Sequence, residues 1–314
     1  MSKLPALAVA TVLALPWLPA AAAAPAVPRA VLADPAPDAR NPARNQQVLI
    51  LNRGEGMNAL FLLAAGAGPK PTLLLLHGLP GNEQNLDLAQ AARRAGWNVL
   101  TLHYRGSWGS AGRFSLAGAS QDTEAAMAFL RDPATVQRYS IDGARIVVAG
   151  HSMGGFMAAQ YAARHDDVAG AILLDPWNIG ASGKEVRAHP ETRQDRIAAM
   201  GEDFGTSLAG TDAATLMREV EAHADDWDLV DAAPGLARKP LLVVGAARGL
   251  APAIAPVVAA VKGQRGAQVQ ASTLASDHAF ADHRIALVAE VVRWLDARRT
   301  SVIPAQAGNH AERR

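Results

Sequence analysis

Arg145-Ile146-Val147-Val148-Ala149 runs directly into Gly150-His151-Ser152-Met153-Gly154, and a small-residue helical pattern, Gly155 to Arg164, follows. The first segment is a short apolar run suited to a buried strand. The second reads G-x-S-x-G. A strand that turns sharply into a helix around a serine holds that residue at the edge of a sheet with its Oγ exposed. Glycines on either side permit a turn too tight for a Cβ. This stretch predicts a parallel α/β sheet and marks Ser152 as a candidate nucleophile.

The pattern around it agrees. Gln47 to Leu51 and Asn58 to Leu63 read as two strands joined through Gly54 and Gly56. Thr72 to Leu76, Asn98 to Leu102, Gly170 to Leu174, Leu241 to Val244 and Val269 to Leu274 are further apolar strands. Between them lie a helix over Glu83 to Ala95, with Asn82 as its cap, and a helix capped by Ser120 that runs to Arg131. A last helix, Asp282 to Arg298, places Ile285, Val288, Val292 and Leu295 on one face. Strands apolar throughout and separated by helices predict a mostly parallel eight-stranded sheet covered on both faces. Residues 178–236 interrupt the alternation with more chain than a normal connection needs. Ala213, Leu216, Met217 and Val220 there share a helical face, and the segment is expected to form a helical lid beside the serine.

The chain has 314 residues, of which 50% are apolar and 19% charged. That suffices for one large core, assigned to residues 46–299. A net charge of +1 gives no reason to expect nucleic acid as a partner. The absence of cysteine excludes disulfides, thiolate metal sites and a cysteine nucleophile. Lys3, the apolar run Leu4 to Leu18 and the stretch Ala20 to Ala24 have the layout of a secretory signal peptide over residues 1–24. The apolar run is too short for a stable membrane span. The expected location is therefore periplasmic or extracellular. Residues 25–45 hold Pro25, Pro28, Pro35, Pro37 and Pro42 and read as an extended linker. Residues 300–314 read as a loose tail.

A serine hydroxyl needs a base, and histidine is the usual one. The loop after the final strand, Ala275-Ser276-Asp277-His278-Ala279-Phe280-Ala281-Asp282-His283-Arg284, offers His278, with His283 in reserve. Its Asp-His pairs lack a third cluster at metal-ligand spacing. An oxyanion formed on a carbonyl needs two aimed donors. The N–H groups of Met153, after the serine, and of Leu79, in the loop His77-Gly78-Leu79-Pro80-Gly81, are the candidates.

With this loop, the elbow and the histidine loop, residues 47–298 resemble the α/β-hydrolase superfamily. The run His103-Tyr104-Arg105-Gly106-Ser107-Trp108-Gly109-Ser110 is similar to a segment of its S9-type peptidase and dienelactone-hydrolase-like branches. In those relatives the segment borders the active site; it also reads as a tight structural loop. The resemblance implies a serine hydrolase with no cofactor or metal, acting on a small-molecule ester or amide. Peptidases of that branch often carry a separate N-terminal propeller, for which this chain has no room, so an ester is the expected substrate.

One element of the pattern is missing. The resemblance implies an aspartate after the strand 241–244, but Gly245-Ala246-Ala247-Arg248-Gly249-Leu250-Ala251-Pro252 holds no carboxylate. An arginine beside the base would oppose the imidazolium formed in acyl transfer. Asp175, at the end of strand 170–174, is the candidate acid; its other reading is a turn cap ahead of Pro176. Asp277 and Asp282 are weaker candidates, and a dyad without acid is also open. A scaffold that binds a ligand without turning it over is the alternative function, and it rests on this missing acid.

Overall fold

The computed structural model describes residues 26–202 and 204–299. The expected signal peptide and tail lie outside the described residues.

A single turn, α1 (Arg29–Leu32), interrupts the proline-rich segment, and its Ala30 and Val31 lean on the core. The antiparallel pair β1 (Arg44–Asn52) and β2 (Glu55–Leu63) follows, then β3 (Lys70–Leu76), α2 (Leu86–Arg94) and β4 (Asn98–Leu102). Next come α3 (Leu116–Arg131), α4 (Pro133–Tyr139), β5 (Ile141–His151), α5 (Met153–Arg164) and β6 (Gly170–Leu174). The long connection carries α6 (Ile179–Ala188), α7 (Arg193–Gly201), α8 (Ala213–Ala222) and α9 (Ala233–Leu236). The chain then forms β7 (Leu241–Arg248), α10 (Ala251–Lys262), β8 (Val269–Asp277) and α11 (Arg284–Arg299).

The eight strands form one sheet in the order β1-β2-β4-β3-β5-β6-β7-β8. Pairing is parallel from β4 through β3 to β8, and β2 is antiparallel to both β1 and β4. This is the predicted architecture. The central strands β4 and β6 are buried at every residue, as apolar runs covered on both faces must be. One face packs Leu74, Leu76, Val148 and Leu173 beneath α3, α5, α9 and α10. The other packs Leu73, Leu75, Val147 and Ile172 with residues of α2 and α11.

Helix boundaries depart from the pattern for identifiable reasons. Helix α2 begins at Leu86, not Glu83, because Asn85 is left-handed (φ 55°) and its carboxamide oxygen accepts from Arg284. Helix α3 begins earlier than expected: Ser115 is the cap, accepting from the Gly118 N–H at 2.9 Å. Ser120 lies within the helix and accepts from Arg164 instead. The first turn of α11 overhangs the core, so Ile285 is 60% exposed while Val288, Val292 and Leu295 are buried.

In the long connection, Ala213, Leu216, Met217 and Val220 are buried together, as their spacing predicts. The Glu219 carboxylate on α8 accepts from the N–H groups of Leu116 and Ala117, at the N-terminus of α3. Residues 207–209 tie to the 104–114 loop: Ser207 O accepts from Trp108 N, and Ala209 exchanges bonds with Gly106 O and Phe114 N.

Candidate active site

Strand β5 ends at His151, and Ser152 turns the chain into α5 with φ 56° and ψ −120°. Such a conformation is costly for a residue with a side chain and persists only where its surroundings hold it. Here the Ser152 N–H donates to Leu174 O at 3.0 Å, and Ser152 O accepts from Phe156 and Trp177. A Cβ on Gly150 would strike the Gly154 carbonyl, and one on Gly154 would strike Leu76 O. The flanking glycines are thus required by close approach.

The loop after β3 passes directly over the serine. A Cβ on Gly78 would lie 2.9 Å from Ser152 Cβ and 3.5 Å from its Oγ. His77, buried behind the loop, donates from Nδ1 to Gly78 O at 2.7 Å, since a carbonyl can only accept. Burial lowers its pKa to about 4, so it is neutral at physiological pH. Met153 is the first residue of α5, and its N–H has no partner in that helix. Among the described residues, no hydrogen bond takes up the Leu79 N–H. Both expected donors therefore stand free beside the elbow.

His278 lies just past β8, its Nδ1 2.6 Å from Asp175 Oδ2. Asp175 follows β6 directly with φ 40° and is fully buried, while the His278 side chain is 40% exposed. A carboxylate accepting at Nδ1 leaves Nε2 as the free basic nitrogen. His278 is held beside the elbow by His151: the ring centroids are 4.6 Å apart, and His151 Nε2 lies 2.7 Å from His278 O. Ser152, Asp175 and His278 thus follow the ends of β5, β6 and β8, and His278 meets both Asp175 and the residue before Ser152.

The segment 245–252, where the acid was missed, has a different part. The N–H groups of Ala246 and Leu250 donate to the two Asp175 carboxylate oxygens at 2.9 and 2.8 Å. A Cβ on Gly249 would strike that carboxylate and lie 3.0 Å from His278 Cα. Arg248 turns outward to Ala275 O and Asp282. His283 pairs with Asp282 at 3.0 Å, and Asp277 accepts from Ala281 N; neither joins the Asp175–His278 pair. Asp282 precedes α11 and pairs with Arg248, Ser276 and His283. Among the described residues, no three His, Asp or Glu side chains cluster as metal ligands would, and no helix is long and apolar enough to cross a membrane.

The 103–110 loop is tied down at both ends. Arg105 forms a buried ion pair with Asp122 (2.5 Å), and Asp122 also accepts from Arg105 N and Asn52. Trp108, 41% exposed, donates from Nε1 to Pro80 O at 2.8 Å. One end is anchored in the core; the other braces the loop over the serine. Sequence reasoning missed Asp122, the N–H cradle of Asp175 and the His151 contact. All three join residues distant in the chain, and only the cradle left a local sign, in Gly249.

Residues 71–223 match the family model described as alpha/beta hydrolase fold. The chain is similar to protein bem46 of Schizosaccharomyces pombe, at 31% identity over 118 residues, covering 37% of this chain and 38% of that protein. It is similar to cutinase est2 of Thermobifida alba, at 37% identity over 57 residues, or 18% of this chain and 19% of the cutinase. These matches span well under half of each relative's length. In three dimensions it is similar to Est1E from Butyrivibrio proteoclasticus with ferulic acid bound: TM-score 0.59, 19% identity, 80% of this chain and 98% of that one. At that identity the likeness speaks to fold alone. Taken with the sheet order, these findings show that the chain has the alpha/beta hydrolase fold.

Proposed function

We propose that the protein is a serine hydrolase that cleaves a carboxylic ester, or an amide, of a small molecule. The observation that carries this reading is the 2.6 Å contact between buried Asp175 and His278, whose ring packs on His151, the residue before the strained Ser152. His278 Nε2 takes the Ser152 proton as Oγ attacks the substrate carbonyl. Asp175 stabilises the imidazolium, and the Leu79 and Met153 N–H groups hold the oxyanion. Collapse expels the alcohol or amine, which takes the proton from His278. Water, deprotonated by His278, then attacks acyl-Ser152 and releases the acid. Names of similar proteins, which include a cutinase and a putative esterase, favour an ester.

The ligand-binding alternative loses its support, because it rested on the lack of an acid, and Asp175 supplies one to His278. Residues 178–236 act as a cap that shapes the substrate pocket; their ties to Trp108 and to α3 support this role. Residues 1–24 direct export and are removed, which N-terminal sequencing of the secreted protein checks.

The test is turnover of short-chain p-nitrophenyl esters and matched anilides by the parent, Ser152→Ala and His278→Ala. The parent hydrolyses the esters with saturation, and each variant loses at least about a thousandfold in kcat. Parent-like turnover by Ser152→Ala would end the proposal. Faster cleavage of anilide than ester would reverse the substrate preference.

A further inference from the structure

His151 is the first of the two variable residues of the G-x-S-x-G turn, and the reaction proposed above does not use it. It is 4% exposed, which is unusual for a group that can carry charge. Its Nε2 lies 2.7 Å from His278 O, so it carries a proton there and donates to that carbonyl. Its Nδ1 is buried without a partner. Its ring lies against that of His278, tilted 37° with centroids 4.6 Å apart, and it meets Phe280 edge-on at 6.2 Å.

We propose that His151 is a positioning residue for the base: it pins the main chain of His278 and backs its ring, so that the imidazole keeps both its bond to Asp175 and its reach to Ser152. The proposal rests on the serine-hydrolase reading for its kinetic consequences, but its geometry stands apart from it.

Three features support the assignment. The contact joins the residue next to the nucleophile to the residue that bears the base, across 127 positions of sequence. His278 itself is 40% exposed, so without a backing group its ring has freedom to leave Asp175. His151 also stays uncharged. Desolvation lowers its pKa to about 4, helped by His278 and Arg284 and opposed by Asp175 and the bond to His278 O. A neutral ring in van der Waals contact leaves His278 free to become the imidazolium, whereas a second cation there would oppose it.

The test compares three variants of the full chain. His151→Gln keeps a donor at similar reach. His151→Phe keeps a flat ring and loses the donor. His151→Asn is polar but too short to reach the carbonyl. Two readouts are taken: the pH profile of kcat and KM on a p-nitrophenyl ester, and the far-downfield proton resonance of the His278–Asp175 hydrogen bond. In His151→Phe and His151→Asn, kcat falls about tenfold with KM unchanged, equivalent to about 1.4 kcal/mol. The acid limb of kcat/KM moves to lower pH, and the downfield proton broadens or is lost. His151→Gln recovers most of the rate and the resonance. If the donor-less variants keep the parent's resonance and profile, or if all three variants lose equally, the proposal is overturned. Should His151→Phe fail to fold, the Asn and Gln pair decides. The resonance is read whether or not the parent hydrolyses esters, so failure of the positioning role is distinguishable from failure of the serine-hydrolase reading.

Discussion

The ends of β6 and β7 lie side by side in the sheet and have divided one task between them. The end of β7 has the glycine and proline frame expected of an acid-bearing loop, yet Arg248 points outward to Asp282. The end of β6 has Asp175, buried and bonded to His278. The β7 loop is still part of the site: its Ala246 and Leu250 N–H groups solvate the carboxylate that its neighbour provides. Two such bonds give the buried carboxylate the partners that burial takes away from it. The position of a site residue along the chain is thus less constrained than its position in space. A carboxylate need only reach Nδ1 of the base, and either strand end can supply it.

The largest expected effect lies at the β6 end. Asp175→Asn leaves the shape intact but takes away the negative charge, and kcat on an ester falls by about 10³–10⁴. A loss under tenfold would mean that the dyad works without its acid. Next comes the β7 cradle. Gly249→Ala puts a methyl group onto the Asp175 carboxylate and against His278 Cα. It lowers kcat by about ten- to a hundredfold with a lower Tm, and parent-like activity would show that the loop is not packed on the acid. Arg248→Asp sharpens the contrast further. It changes the parent's kcat less than about threefold and fails to rescue Asp175→Asn, because side chain 248 faces outward. Rescue in the double variant would restore the β7 end as an acid site.

The smallest effect concerns two buried imidazoles, His77 behind the loop after β3 and His151 against His278. Desolvation lowers His77 and His151 from 6.5 to about 4. The unfolded chain therefore binds more protons than the folded one between those values. Stability falls as pH drops from 6.5 towards 4, by up to about 1.4 kcal/mol per pH unit for each group. Above 6.5 neither adds a slope. Urea midpoints in the parent decline more steeply over that window than in His151→Gln; equal slopes would remove His151 from the account.

What was legible in the sequence follows from range. The inner strands could be read because continuous apolar runs such as Leu73 to Leu76 and Ile146 to Ala149 fit a sheet covered on both sides. Ser152 was legible from its own glycines. His278 followed from its position after the last strand. Asp175 could be named only as one candidate, since nothing local distinguishes an acid from a cap ahead of Pro176; the deciding contact is with a residue 103 positions away. Helix α10 was hidden because it runs through Pro256, a residue that ordinarily argues against a helix interior. The starts of α2 and α3 were misplaced because Asn82 and Ser120 are as good caps, by type, as the residues at the actual boundaries, Asn85 and Ser115.

The central claim is that Ser152 is activated through His278 by an acid at the end of β6. Time-resolved labelling with a fluorophosphonate, with the adduct mapped by mass spectrometry, tests it most directly. The account predicts a single adduct on Ser152 of the parent, none at that position in Ser152→Ala, and labelling of Asp175→Asn slowed at least about a hundredfold. A folded parent that remains unlabelled, or an Asp175→Asn variant that labels at the parent's rate, would contradict it.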